Sequence, residues 1–138
     1  MIRKYENEDE IFALVKAFEE ATVAREAWHH AEHLTVALFY LNHFEMETAT
    51  DKVRNGILKL LTDGFGVDLS KDMPYHETLT VFWMKTVAEF DALKNGSSFL
   101  DKANELIANY EKDYPLQFYS REYLFSDEAR TNFVNGDL

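Results

Sequence analysis

The chain has no cysteine. Disulfides, thiolate-bound zinc and a cysteine nucleophile are thereby excluded, and any metal site must be built from nitrogen and oxygen ligands. Positive charge is also scarce: 25 Asp and Glu stand against 14 Lys and Arg in 138 residues, a formal net charge of −11, which opposes attraction to nucleic acid and to anionic lipid alike. Neither a nucleic-acid nor a membrane partner is expected. No apolar run approaches the length of a membrane span, and Arg3 and Lys4 lead into Glu6, Glu8, Asp9 and Glu10 where a signal peptide would have its apolar core. The expected location is the cytoplasm. Strand-period segments, repeats of 20–50 residues, low-complexity linkers, a nucleophile elbow, a glycine-rich phosphate loop and zinc-finger spacings are all missing.

Aromatic residues, by contrast, are plentiful at 14%, with eleven Phe and seven Tyr, a content suited to a compact core or an apolar pocket rather than to disorder. A chain of this length buries roughly two-thirds of the surface its unfolded form exposes. It reads most simply as a single helical domain over 1–138.

Helical spacing recurs throughout. Asn7 and Glu10 form a capping pair ahead of Ile11, Leu14, Val15 and Phe18, which predicts a first helix over about 8–21. No strong breaker stands between Ala21 and Arg25, so a bend there follows only from the phase of the apolar stripe. The second helix is predicted over about 26–42. A third, capped by Thr48 or Thr50, carries Val53, Ile57, Leu60 and Leu61 and ends at Gly64 and Gly66; a loop follows to Pro74. After Tyr75 a fourth helix places His76, Leu79, Thr80, Trp83, Val87 and Phe90 on one face and ends at Asn95-Gly96. Ser97 or Ser98 caps a fifth, Pro115 stops it, and Ser120 and Ser126 each start a short helix near the C-terminus. The expected fold is an all-α bundle of four to five main helices with short C-terminal helices.

The chemistry concentrates in Glu26–Leu41. At about 100° per residue, Ala27, His30, Ala31, Leu34, Ala37, Leu38 and Leu41 form one inward stripe, with Glu26 and His33 on its flank. Glu26 and His30 are four apart and His30 and His33 three apart, so their side chains project from one side of a helix. If the second and fourth helices face each other, His76 completes a three-histidine site, with Glu26 or Glu77 as a fourth ligand or as a general base. Such a site would take zinc, nickel, iron or manganese and serve a hydrolase or transferase. Tyr75 would present its hydroxyl at the mouth.

Two other readings stand beside it. In one, the histidines are structural, hydrogen-bonded to carbonyls or carboxylates, and the protein is a non-enzymatic module binding a small apolar ligand or a partner protein. In the other, His76 and Glu77 act as acid and base without metal. His29 falls on the helix flank, and His43 sits near the helix end, where the dipole favours a cation; neither is assigned chemistry. Trp28, Phe39, Tyr40, Phe82, Trp83 and Phe90 read as core, while Arg121 and Arg130 read as salt-bridge partners of the surplus carboxylates. The exposed part of an aromatic-rich helix offers a face for a homodimer.

Three segments, WHHAEHLTVALFYL (28–41), YHETLTVFW (75–83) and YSREYLFSDEAR (119–130), together resemble a family of small uncharacterised bacterial proteins. The family pattern Trp-x-His-x-x-His-Leu falls on Trp28, His30, His33 and Leu34, and Tyr-His-Glu-Thr falls on Tyr75 to Thr78 with Trp83 following. The resemblance implies His30, rather than His29, as the functional partner of His33, and it implies no particular activity. In architecture alone the chain is also similar to the DinB-like four-helix bundles, which place a three-histidine metal site between helices and include thiol transferases and hydrolases. Their ligands are spaced differently from the pair on the second helix here.

Overall fold

The computed structural model describes residues 3–138. Asn7 starts the first helix as its spacing predicts. Its side chain accepts from the Glu10 N–H at 3.1 Å, and the Glu10 carboxylate accepts in return from the Glu6 N–H at 2.8 Å. This helix, α1 (Glu8–Glu19), buries Ile11, Val15 and Phe18. It ends where no breaker is visible: Ala21 adopts φ 57°, while its N–H donates to Phe18 O and the Thr22 N–H to Ala17 O. That is a Schellman termination with alanine in the left-handed position glycine usually takes.

A 3₁₀ turn (Arg25–Ala27) leads into α2 (His30–His43), four residues later than the spacing predicts. The late start has a local cause. The Glu32 carboxylate accepts from the His29 N–H at 2.9 Å and pairs with Lys4 Nζ at 2.6 Å, so the helix begins after His29. Glu26 is consequently left on the preceding turn. Next come α3 (Met46–Lys59), a π-helical turn (Leu60–Gly64), α4 (Glu77–Leu93) and α5 (Phe99–Asn109). Thr48 and Thr50 lie inside α3 rather than capping it, and Thr50 bonds back to Met46 O at 2.7 Å. A 3₁₀ turn (Tyr114–Gln117) precedes α6 (Arg121–Leu124) and α7 (Asp127–Thr131). Ser98, Ser120 and Ser126 cap α5, α6 and α7 through their side chains. The described residues form seven α-helices and no strand, and no helix among them is long and apolar enough to cross a membrane.

The bundle is built around α2, which packs against α1, α3, α4 and α5. Leu34, Thr35, Val36, Ala37 and Leu38 are consecutive and all wholly buried, as expected of a helix that is apolar around its circumference. Its one polar member is satisfied: the Thr35 hydroxyl bonds Ala31 O and the Tyr5 hydroxyl. The approach of α3 to α1 is close because Gly56 has no side chain. A Cβ there would lie 2.2 Å from Cε2 of the Phe18 ring. The C-terminal segment returns over the start of α4, where the Thr78 hydroxyl donates to Asn132 O at 2.9 Å and accepts from the Val134 N–H at 3.1 Å.

Candidate functional site

A cavity of about 290 Å³ opens where the N-terminal ends of α2 and α4 meet the C-terminal part of α3. Trp28, His30 and His33 line it from the α2 side, Ile57 and Leu61 from α3 and its extension, Pro74, Tyr75, His76, Leu79, Thr80 and Trp83 from the α4 side, and Lys112 from the segment after α5. The three histidines singled out in the sequence therefore share one chamber. Helices α2 and α4 do face each other there, with the His30 and Trp83 ring centroids 4.7 Å apart.

The imidazoles differ in what they leave free. His30 Nε2 lies 3.0 Å from Tyr110 O; a carbonyl only accepts, so this nitrogen carries the hydrogen. Burial lowers the pKa of His30, partly offset by the Tyr110 contact and reinforced by the charge of Lys112. His76 is not in the helix but caps it. Its Nδ1 accepts from the Leu79 N–H at 3.2 Å, and its Nε2 donates to Leu124 O at 2.7 Å. Both nitrogens are thus committed, and burial again holds the imidazole below its ordinary pKa. His33 is the exception. Its Nε2 is withdrawn from solvent and is the only buried side-chain nitrogen or oxygen among the described residues without a hydrogen-bond partner. Burial, with a smaller contribution from His30, pushes its pKa down to about 4.

Tyr75 and Glu77 form a separate unit at the edge. The Tyr75 hydroxyl donates to Glu77 Oε1 at 2.5 Å, while Arg54 from α3 grips the same carboxylate through Nε at 2.8 Å and Nη2 at 2.7 Å. Burial, then the neighbouring carboxylate, raises the Tyr75 hydroxyl to about 12. Burial pushes Glu77 upward too, but the hydrogen bonds from Arg54 and Tyr75 outweigh it and keep the carboxylate below its ordinary range. Glu77 is therefore a committed anion in a bidentate pair, not an available base.

Glu26 is exposed on its 3₁₀ turn and does not line the cavity. Among the described residues no group of three or more His, Asp and Glu side chains gathers in a geometry that holds a metal ion. The reason lies in the partners just described: His30 and His76 point protonated nitrogens at carbonyls, His76 spends its other nitrogen on a helix cap, and Glu77 belongs to Arg54. Of the side-chain nitrogens shut off from solvent, only His33 Nε2 has no partner among the described residues.

Two residues of the site carry no sequence signal. Arg54 pairs with Asp51 at i,i+3 as any surface arginine does, and its second partner lies 23 positions away. Lys112 stands between Glu111 and Asp113 in what the sequence reads as the end of the fifth helix before Pro115, whereas α5 stops at Asn109. In comparisons with known proteins the chain matches no family model, no curated protein and no solved structure.

Proposed function

We propose that the cavity between α2, α3 and α4 is a small-molecule binding site and that the protein is a binding module whose ligand engages His33 Nε2. The unpartnered nitrogen carries this reading. A buried donor or acceptor left without a partner costs about 1–3 kcal/mol, and a ligand that bonds it recovers that cost on binding. The chamber supports the same view, since Trp28, Trp83, Ile57, Leu61 and Leu79 give it an apolar part beside its polar groups, the mixture that small-molecule sites use.

Binding is favoured over catalysis by the low basicity of His33. A general base works best with a pKa near the working pH, and His33 at about 4 is far below it. A metal-dependent hydrolase or transferase is the second reading, resting on the gathering of three histidines in one chamber. It requires His76 to give up the α4 cap or Leu124 O, contacts that ligand binding at His33 leaves in place.

The test is a titration with phenylacetamide, a single ring bearing both a donor and an acceptor and so able to meet either tautomer. Its addition is expected to move the His33 Nε2 resonance in a side-chain ¹⁵N spectrum and to raise the melting temperature of the wild type but not of His33→Leu. Stoichiometric zinc, nickel, manganese or iron in protein purified without tag or chelator, and its loss in His30→Ala/His76→Ala, would establish the metal reading instead.

A further inference from the structure

We infer that the ligand is an amphipathic monoanion, a carboxylic acid on a single-ring apolar body, with its acid group at Lys112 and its ring between Trp28 and Trp83. This deepens the small-molecule reading above and rests on it. The sequence holds 25 acidic residues, yet not one of the residues lining the cavity is Asp or Glu. Glu77, which accepts from Tyr75 of the lining, has its charge matched by the bidentate Arg54. Lys112 lines the cavity and takes part in none of the ion pairs among the described residues.

Further positive influences act on the chamber, against the negative ones of the C-terminal part of α3 and of the Arg54-paired Glu77 on Tyr75. The N-terminal ends of α2 and α4 both border it, and helix N-termini carry positive partial charge. Lys112 and Arg130 bear on His30 and His76 in the direction that disfavours a cation. A chain whose overall field attracts cations has thus kept one chamber free of carboxylates and put a lysine at its mouth. An incoming cation would meet Lys112 and three imidazoles whose pKa values are held below the ordinary one. A carboxylate finds the compensating charge of Lys112 there.

The test compares three probes of one shape by calorimetry: phenylacetate, phenylacetamide and phenethylamine. Phenylacetate is expected to bind about three- to fivefold tighter than the amide, the scale of a lysine–carboxylate pair at an exposed mouth, and phenethylamine weakest despite the negative protein. The advantage of the acid should fall with added salt and vanish in Lys112→Gln, where acid and amide are expected to bind alike. Equal binding of acid and amide, or an acid preference that persists in Lys112→Gln, overturns the anion assignment while the pocket reading stands. Binding of none of the three overturns both.

Discussion

Lowering the pH from 7 to 4 should destabilise the protein through His33, and the amount can be worked from its surroundings. The folded state holds this imidazole at about 4, against an ordinary 6.5, mainly because burial disfavours the cation. At about 1.36 kcal/mol per unit, a difference of about 2.5 units is worth about 3 kcal/mol. The sign follows from proton uptake. Above pH 6.5 neither state binds the proton and the stability is fully present. Below it the unfolded chain takes up a proton that the folded chain refuses, so stability falls progressively until pH passes about 4 and the slope from this group vanishes. His30 and His76 are shifted in the same direction, while Glu32 and Glu77 are depressed carboxylates whose stabilisation is lost only at lower pH. All of these remain in His33→Gln, so the difference between the two proteins isolates His33. Urea unfolding followed by far-ultraviolet circular dichroism at pH 7, 6, 5 and 4 should show the wild type losing about 3 kcal/mol more than His33→Gln. Parallel pH curves for the two proteins, or a His33 titration above pH 6 by nuclear magnetic resonance, would refute the reasoning.

Other consequences follow from particular contacts. Gly56→Ala places a methyl 2.2 Å from the Phe18 ring, which stacks on Trp28 at 5.3 Å; stability should drop by about 1–3 kcal/mol with a change in tryptophan fluorescence, and an unchanged melting temperature would show that α1 and α3 yield freely. At Ala21, glycine relieves a left-handed strain of about 1–2 kcal/mol and loses a buried methyl worth about 0.8 kcal/mol. Ala21→Gly should therefore be near neutral, whereas Ala21→Val, β-branched at φ 57°, should unfold at lower urea than either; equal midpoints for Gly and Val would contradict the assigned backbone. Thr78→Val keeps the shape but removes the hydroxyl that joins Asn132 O and the Val134 N–H. Limited proteolysis beyond residue 131 should accelerate, with a stability loss of about 1–3 kcal/mol; an unaltered cleavage rate would mean that other contacts hold the tail.

Much of the framework was legible because it is local chemistry. Asn7 with Glu10, and Ser98, Ser120 and Ser126, cap the helices that their spacing announces, each through an acceptor that reaches a backbone N–H three residues on. The end of α1 was not legible as a stop, since alanine in a left-handed position has no signature in sequence. The start of α2 was misplaced for a related reason. His29 does not resemble a capping residue, and it is Glu32, reaching back to the His29 N–H, that sets the boundary.

By itself, then, the sequence determined the all-α architecture, the absence of thiol chemistry and the pairing of His30 and His33 on one side of a helix, because period, composition and i,i+3 geometry are properties of neighbouring residues. It also pointed to His76 as their companion. Which of these nitrogens is free was decided only in three dimensions. Tyr110 O, 80 positions from His30, and Leu124 O, 48 positions from His76, each occupy an imidazole nitrogen, and none reaches His33 Nε2. The same holds for Arg54 on Glu77 and for Lys112 at the mouth. Chemistry depends on a group's hydrogen-bond partners and local field, and those come from segments that only tertiary packing brings together.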